Sequence, residues 1–175
     1  FDLDGTLTDP MEGITKSVQY ALRAFGIHVE DRTQLCRFIG PPLADSFKNF
    51  YGLDEQQAKE AIVKYREYFT PTGIFENEVY DGVPELLARL KADGKSLILA
   101  TSKPTQYAEM ILEHFGLSQY FSFVSGSNFD GTRVKKADVI QFALDENGID
   151  NLDEAVMVGD REHDVIGAKS VGMEC

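Results

Sequence analysis

Apolar residues follow two different patterns along this chain. In the first half they recur at helical spacing. Ile14, Val18, Ala21, Leu22 and Phe25 form one stripe, ended by Gly26. Leu35, Phe38 and Ile39 predict a shorter helix that stops at Gly40-Pro41-Pro42. Phe47 and Phe50 mark a third, from Leu43 to Gly52. Ala58, Ala61, Ile62, Tyr65 and Phe69 lie on one face of a fourth, which Asp54 can cap and Pro71 breaks. From Asp81 onward, short apolar runs alternate with helical faces. Pro84 opens a helix with Leu86, Leu87 and Leu90 on one side and Gly94 at its end. Residues 96–100, 121–125 and 155–158 have strand length and strand composition. Between and after them, residues 105–115, 137–147 and about 164–170 read as helices, the first two closed by Gly116 and Gly148.

Strand and helix in alternation predict an α/β fold, with a parallel sheet covered by helices on both faces. Phe1 to Asp4 reads as the end of a further buried strand. It has no partner nearby in sequence, so it joins the later strands. The domain expectation is therefore an α/β core of residues 1–12 and 82–175, with residues 13–81 inserted as an all-helical unit. The 175 residues suffice for one core with a modest insertion. The chain opens inside one apparent strand and stops at the start of another, so further residues are expected at both ends.

Charge narrows the function. The net charge of −12 argues against a general nucleic-acid or anionic-membrane partner. It leaves room for a small anion held in a local pocket. Cys36 and Cys175 have no metal or redox spacing, no apolar run has membrane-span length, and no signal peptide is visible. A cytoplasmic protein, monomer or homodimer, is expected.

The chemistry gathers at strand ends. In Phe1-Asp2-Leu3-Asp4-Gly5-Thr6, alternation puts Asp2 and Asp4 on one side, and Gly5 lets the chain turn sharply. Two close carboxylates call for a cation or a proton. The spacing does not fit a calcium loop, since Thr6 and Leu7 stand where a ligand and a glycine are needed. Thr101-Ser102 precedes a helix and can seat an anion. Lys135 and Lys136 stand at another helix start, where the dipole disfavours cations. Gly159-Asp160 and Asp164 offer hard oxygen ligands that suit Mg2+. Taken singly, each has an ordinary reading as turn, cap or solvated charge. Together they form an acidic pair, a hydroxyl, a lysine and a second acidic pair at the strand ends of one sheet.

That order, with Asp2-x-Asp4-Gly5-Thr6-Leu7 as its most specific part, resembles the haloacid dehalogenase-like hydrolase superfamily over essentially the whole chain. It is most similar to the phosphoglycolate phosphatase-like branch. The resemblance implies a Rossmann-like core, and it makes the helical insertion a cap that closes over the site. It implies Asp2 as nucleophile and Asp4 as general acid and base. Thr101 and the Ser102 N–H would bind phosphate. Lys136, the last residue before its helix, would offset charge, in preference to Lys135. Mg2+ would be held by Asp2, the Asp4 carbonyl, Asp160 and Asp164. The function implied is hydrolysis of a small phosphorylated metabolite, of phosphoglycolate or nucleoside 5'-monophosphate type, with a β-phosphoglucomutase-type mutase as the alternative. A non-catalytic regulator of the same fold ranks below both, since every expected catalytic position is filled.

Overall fold

The computed structural model describes all 175 residues, Phe1–Cys175. In chain order the elements are β1 (Thr8–Asp9), α1 (Met11–Ala24), α2 (Leu43–Tyr51), α3 (Glu55–Phe69), β2 (Glu78–Val79), α4 (Val83–Ala92), β3 (Ile98–Pro104), α5 (Thr105–His114), β4 (Phe123–Ser127), α6 (Lys136–Glu146) and α7 (Glu162–Ser170). The expected second helix is a 3-10 segment, Arg32–Phe38, in which the Asp31 side chain accepts the Thr33 N–H. Asp54 caps α3 as the sequence predicts, in a reciprocal box with Gln57.

The chain divides into two compact units, one of Phe1–Thr8 with Val79–Cys175 and the other of Asp9–Glu78. The second unit is helical, with α1 lying along α3. Gly13 is required there, because a Cβ would overlap the Gly73 carbonyl.

The first unit is built on parallel pairing. β3 and β4 run parallel, with Ile98 opposite Phe123 and Ala100 opposite Ser125. The opening residues join β3 on its other side, where Phe1 N donates to Ile98 O (2.8 Å) and Ala100 N to Phe1 O (2.7 Å). One residue bonding those before and after its opposite number is the parallel pattern. Asp2 N then donates to Val158 O, and Met157 N to Glu174 O, both at 2.8 Å. The spatial order is thus β4, β3, residues 1–4, residues 155–158 and residues 173–175. Residues 1–4 and 155–158 are extended and hydrogen-bonded but too short for a full ladder, so they fall short of the regular strands predicted for them. On one side of the sheet, Ala100 and Met157 pack with Val139, Ile140, Leu144, Ala168 and Met173. Leu99 is buried as well, as expected of a strand covered on both faces.

Pairing is interrupted at the end of β3. Ala100 pairs with Ser125 and Pro104 with Ser127, so four steps on one strand answer two on the other. Such a bulge re-aims side chains. Here it covers Thr101, Ser102 and Lys103.

Candidate active site

The acidic turn lies at the centre of the sheet, where the parallel order brings its neighbours to it. Asp2 and Asp4 are buried, as are Thr101, Lys136 and Asp164, while Asp160 is exposed. Lys136 is the first residue of α6 and its side chain turns inward, whereas Lys135 is exposed. The Lys136 ammonium lies 2.8 Å from Asp2 Oδ1 and 2.8 Å from Asp164 Oδ1. It donates an aligned hydrogen bond to Ala100 O at 3.1 Å. The two carboxylate oxygens meet it as charges and accept no aligned hydrogen bond. One ammonium therefore serves two buried carboxylates, and negative charge is left over.

Asp160 joins these two acids. One carboxylate oxygen from each of Asp2, Asp160 and Asp164 lies within 4.8 Å of the other two. Asp160 accepts from Thr6 Oγ1 at 3.0 Å and pairs with Arg161 Nε at 3.1 Å. Asp164 accepts the Arg161 N–H at 3.0 Å through Oδ2. Two glycines make the room. At Gly5, with φ +91°, a Cβ would overlap the Asp160 carboxylate, and at Gly159 it would overlap that of Asp164. Buried oxygens without aligned donors, three acids converging and glycines that clear space for them fit a divalent cation with oxygen ligands.

Asp4 belongs to a separate pair. Its Oδ1 lies 2.7 Å from Lys103 Nζ, and both side chains are almost wholly buried. Burial pushes the Asp4 carboxyl above its ordinary value, and the Lys103 charge only partly offsets this. The two acids of the turn thus face different partners. Sequence reasoning gave Lys103 no role, although it stands two residues beyond Thr101. The bulge that turns its side chain toward Asp4 leaves no mark in a hydrophobic pattern. The Thr101 hydroxyl accepts the Lys103 N–H at 3.2 Å, and the Ser102 carbonyl accepts Ser127 Oγ at 2.8 Å. His28, His114 and His163 are exposed.

Known proteins resemble this chain throughout. A family described as haloacid dehalogenase-like hydrolase matches residues 1–175. A 5'-nucleotidase of Pseudomonas aeruginosa is 49% identical over 175 residues, which is 100% of this chain and 79% of that protein. A tyrosine-protein kinase, PtkA, of Mycobacterium tuberculosis is 42% identical over 99% of this chain, which spans only 59% of that relative. Among solved structures, a predicted phosphatase from Clostridium acetobutylicum is 53% identical with a TM-score of 0.95, covering 99% of this chain and 80% of that one. No helix is long and apolar enough to cross a membrane.

Proposed function

Because the chain belongs to the haloacid dehalogenase-like hydrolase family and is a phosphatase of it, we propose that it hydrolyses a small phosphate monoester through an aspartyl-phosphate on Asp2. The substrate class is a nucleoside 5'-monophosphate, with phosphoglycolate next. One observation carries the reading. Asp2 and Asp164 share the buried Lys136 while Asp160 converges on both, which sets a carboxylate nucleophile in a cluster whose excess negative charge suits a divalent cation.

In this reading an Asp2 oxygen attacks phosphorus, the bond to the substrate oxygen breaks, and the leaving alcohol takes a proton from Asp4. Asp4 then removes a proton from water, which attacks the same phosphorus. Phosphate leaves and Asp2 is restored as a carboxylate. Lys103 fixes the orientation of Asp4, and Lys136 holds Asp2 and offsets phosphoryl charge. The Thr101 hydroxyl and the Ser102 N–H bind phosphoryl oxygens. Magnesium, held by Asp2, Asp160, Asp164 and the Asp4 carbonyl, would supply charge stabilisation for phosphoryl transfer. The helical unit serves as the cap that selects the leaving group. The partner is a small metabolite in the cytoplasm, met by a monomer or homodimer.

The test is phosphate release from a panel of nucleoside monophosphates, phosphoglycolate, sugar phosphates and phosphotyrosine, with Asp2→Asn protein as control. Turnover that disappears with a chelator and with Asp2→Asn is expected. Release that survives Asp2→Asn would sink the nucleophile assignment. Sugar-phosphate isomerisation without release would move the protein to the mutases.

A further inference from the structure

Between the end of β4 and the start of α6 runs a loop, residues 128–135, whose last turn delivers Lys136. We infer that Arg133 in this loop is a positioning residue, a clasp that sets Lys103 and Lys136 relative to one another. The inference rests on the proposed roles of those lysines.

Arg133 is the one non-glycine residue with positive φ, at 50°. That region disfavours a residue with a Cβ, so an arginine there calls for a reason. Its side chain turns back across three parts of the fold. Nε donates to Gly126 O at 2.8 Å, Nη2 donates to Asn128 Oδ1 at 3.1 Å, and Cζ lies 3.8 Å from the centroid of the Phe142 ring.

Each end of the clasp leads to one lysine. Gly126 lies flush on the bulged end of β3, where a Cβ would overlap the Lys103 carbonyl and the Thr105 nitrogen. The next residue, Ser127, donates its hydroxyl to Ser102 O at 2.8 Å. The end of β4 is therefore locked to the stretch that aims Lys103 at Asp4. Phe142 belongs to α6, the same rigid helix that begins with Lys136. The rest of the loop closes on itself, since Asp130 Oδ1 accepts the Thr132 N–H and hydroxyl and Asn128 Nδ2 donates to Thr132 Oγ1. Arg133 adds a second cross-link from the strand end to the helix, beyond the buried bond from Ser125 Oγ to Val139 O (2.7 Å) deeper in β4. A guanidinium suits this because it combines a planar donor fork with a face that stacks on an aromatic ring, and lysine does not.

The experiment compares wild type, Arg133→Gly, which relieves the backbone, and Arg133→Lys, which keeps the charge. It reads kcat and KM for phosphate release, Tm, and the acetylation rates of Lys103 and Lys136 by acetic anhydride and mass spectrometry. Expected in both variants are a kcat about tenfold to a hundredfold lower, a nearly unchanged KM, and faster acetylation of at least one of the two lysines. Arg133→Gly is expected to keep its Tm. The clasp is overturned if neither lysine reacts faster in either variant. It is overturned equally if KM rises while kcat holds, since Arg133 would then touch the substrate. Should wild type release no phosphate, the phosphatase reading fails, and the acetylation comparison still decides whether the clasp exists.

Discussion

Lys16 and Lys136 each sit between two carboxylates, and they differ in almost everything that follows from it. In the helical unit, Lys16 lies 2.7 Å from Glu12 and 2.6 Å from Glu76, with side chains 32%, 46% and 24% exposed. In the α/β unit, Lys136 lies 2.8 Å from both Asp2 and Asp164, with side chains 5%, 10% and 0% exposed. The distances are alike and the charges identical. Water screens the first group, which also gains Arg32 on Glu12 at 3.1 Å, and such surface networks contribute little. The second group has lost its water. Burying three charges costs more than one shared ammonium returns, and a fold seeking stability alone would place apolar residues there. A charged cluster kept at that cost is a mark of function, and contact distance alone would not have separated the two.

The comparison can be broken at both ends. The largest effect is expected at Asp2. Asp2→Asn removes the proposed nucleophile with hardly any change of shape and should lower kcat for phosphate release about 10^4-fold, checked by single-turnover assay. Lys136→Met leaves two buried carboxylates facing each other. It should cost about 3–5 kcal/mol in urea unfolding without metal, and added magnesium should restore more stability to this variant than to wild type. Gly5→Ala forces a Cβ into the Asp160 carboxylate at a φ that suits glycine, so destabilisation of about 1–2 kcal/mol is expected. Magnesium affinity measured by thermal shift should weaken with it. Lys16→Met, the mirror of the second variant, should move Tm by less than about 3 °C, and high salt should shrink the difference further. A Lys16 variant as damaging as the Lys136 variant would end the argument from burial.

The sequence made part of this site readable, and the reasons are physical. Asp2, Asp4, Asp160 and Asp164 stand out only in combination, since an acid beside a glycine is an ordinary turn and four of them recurring with a hydroxyl and a lysine at the ends of apolar runs is not. The sequence favours Lys136 over Lys135 as the last residue before the helix; α6 starts one residue earlier than expected, at Lys136 itself, whose side chain turns inward. The Lys103–Asp4 pair was hidden because it depends on a bulge, a two-residue irregularity that leaves apolar spacing untouched. Gly5, Gly159 and Gly167 posed a similar difficulty. Each clears space for a particular side chain, Asp160, Asp164 and Lys136 respectively, and a glycine in a turn or a short helix has many commoner explanations. Arg133 was illegible because nothing in a single sequence marks a left-handed arginine.

The central place of residues 1–4 in the sheet has a consequence for how the molecule comes into being. Phe1 pairs with Ile98, and Asp2 with Val158, so residues 1–4 must wait for segments far along the chain before their backbone is satisfied. Contacts of such sequence separation are slow to form, because the intervening chain must be closed into a loop first. The helical segment between them has local contacts and can fold ahead of them during synthesis. Asp2, the proposed nucleophile, therefore acquires its surroundings late in folding, after the loop between these segments has closed.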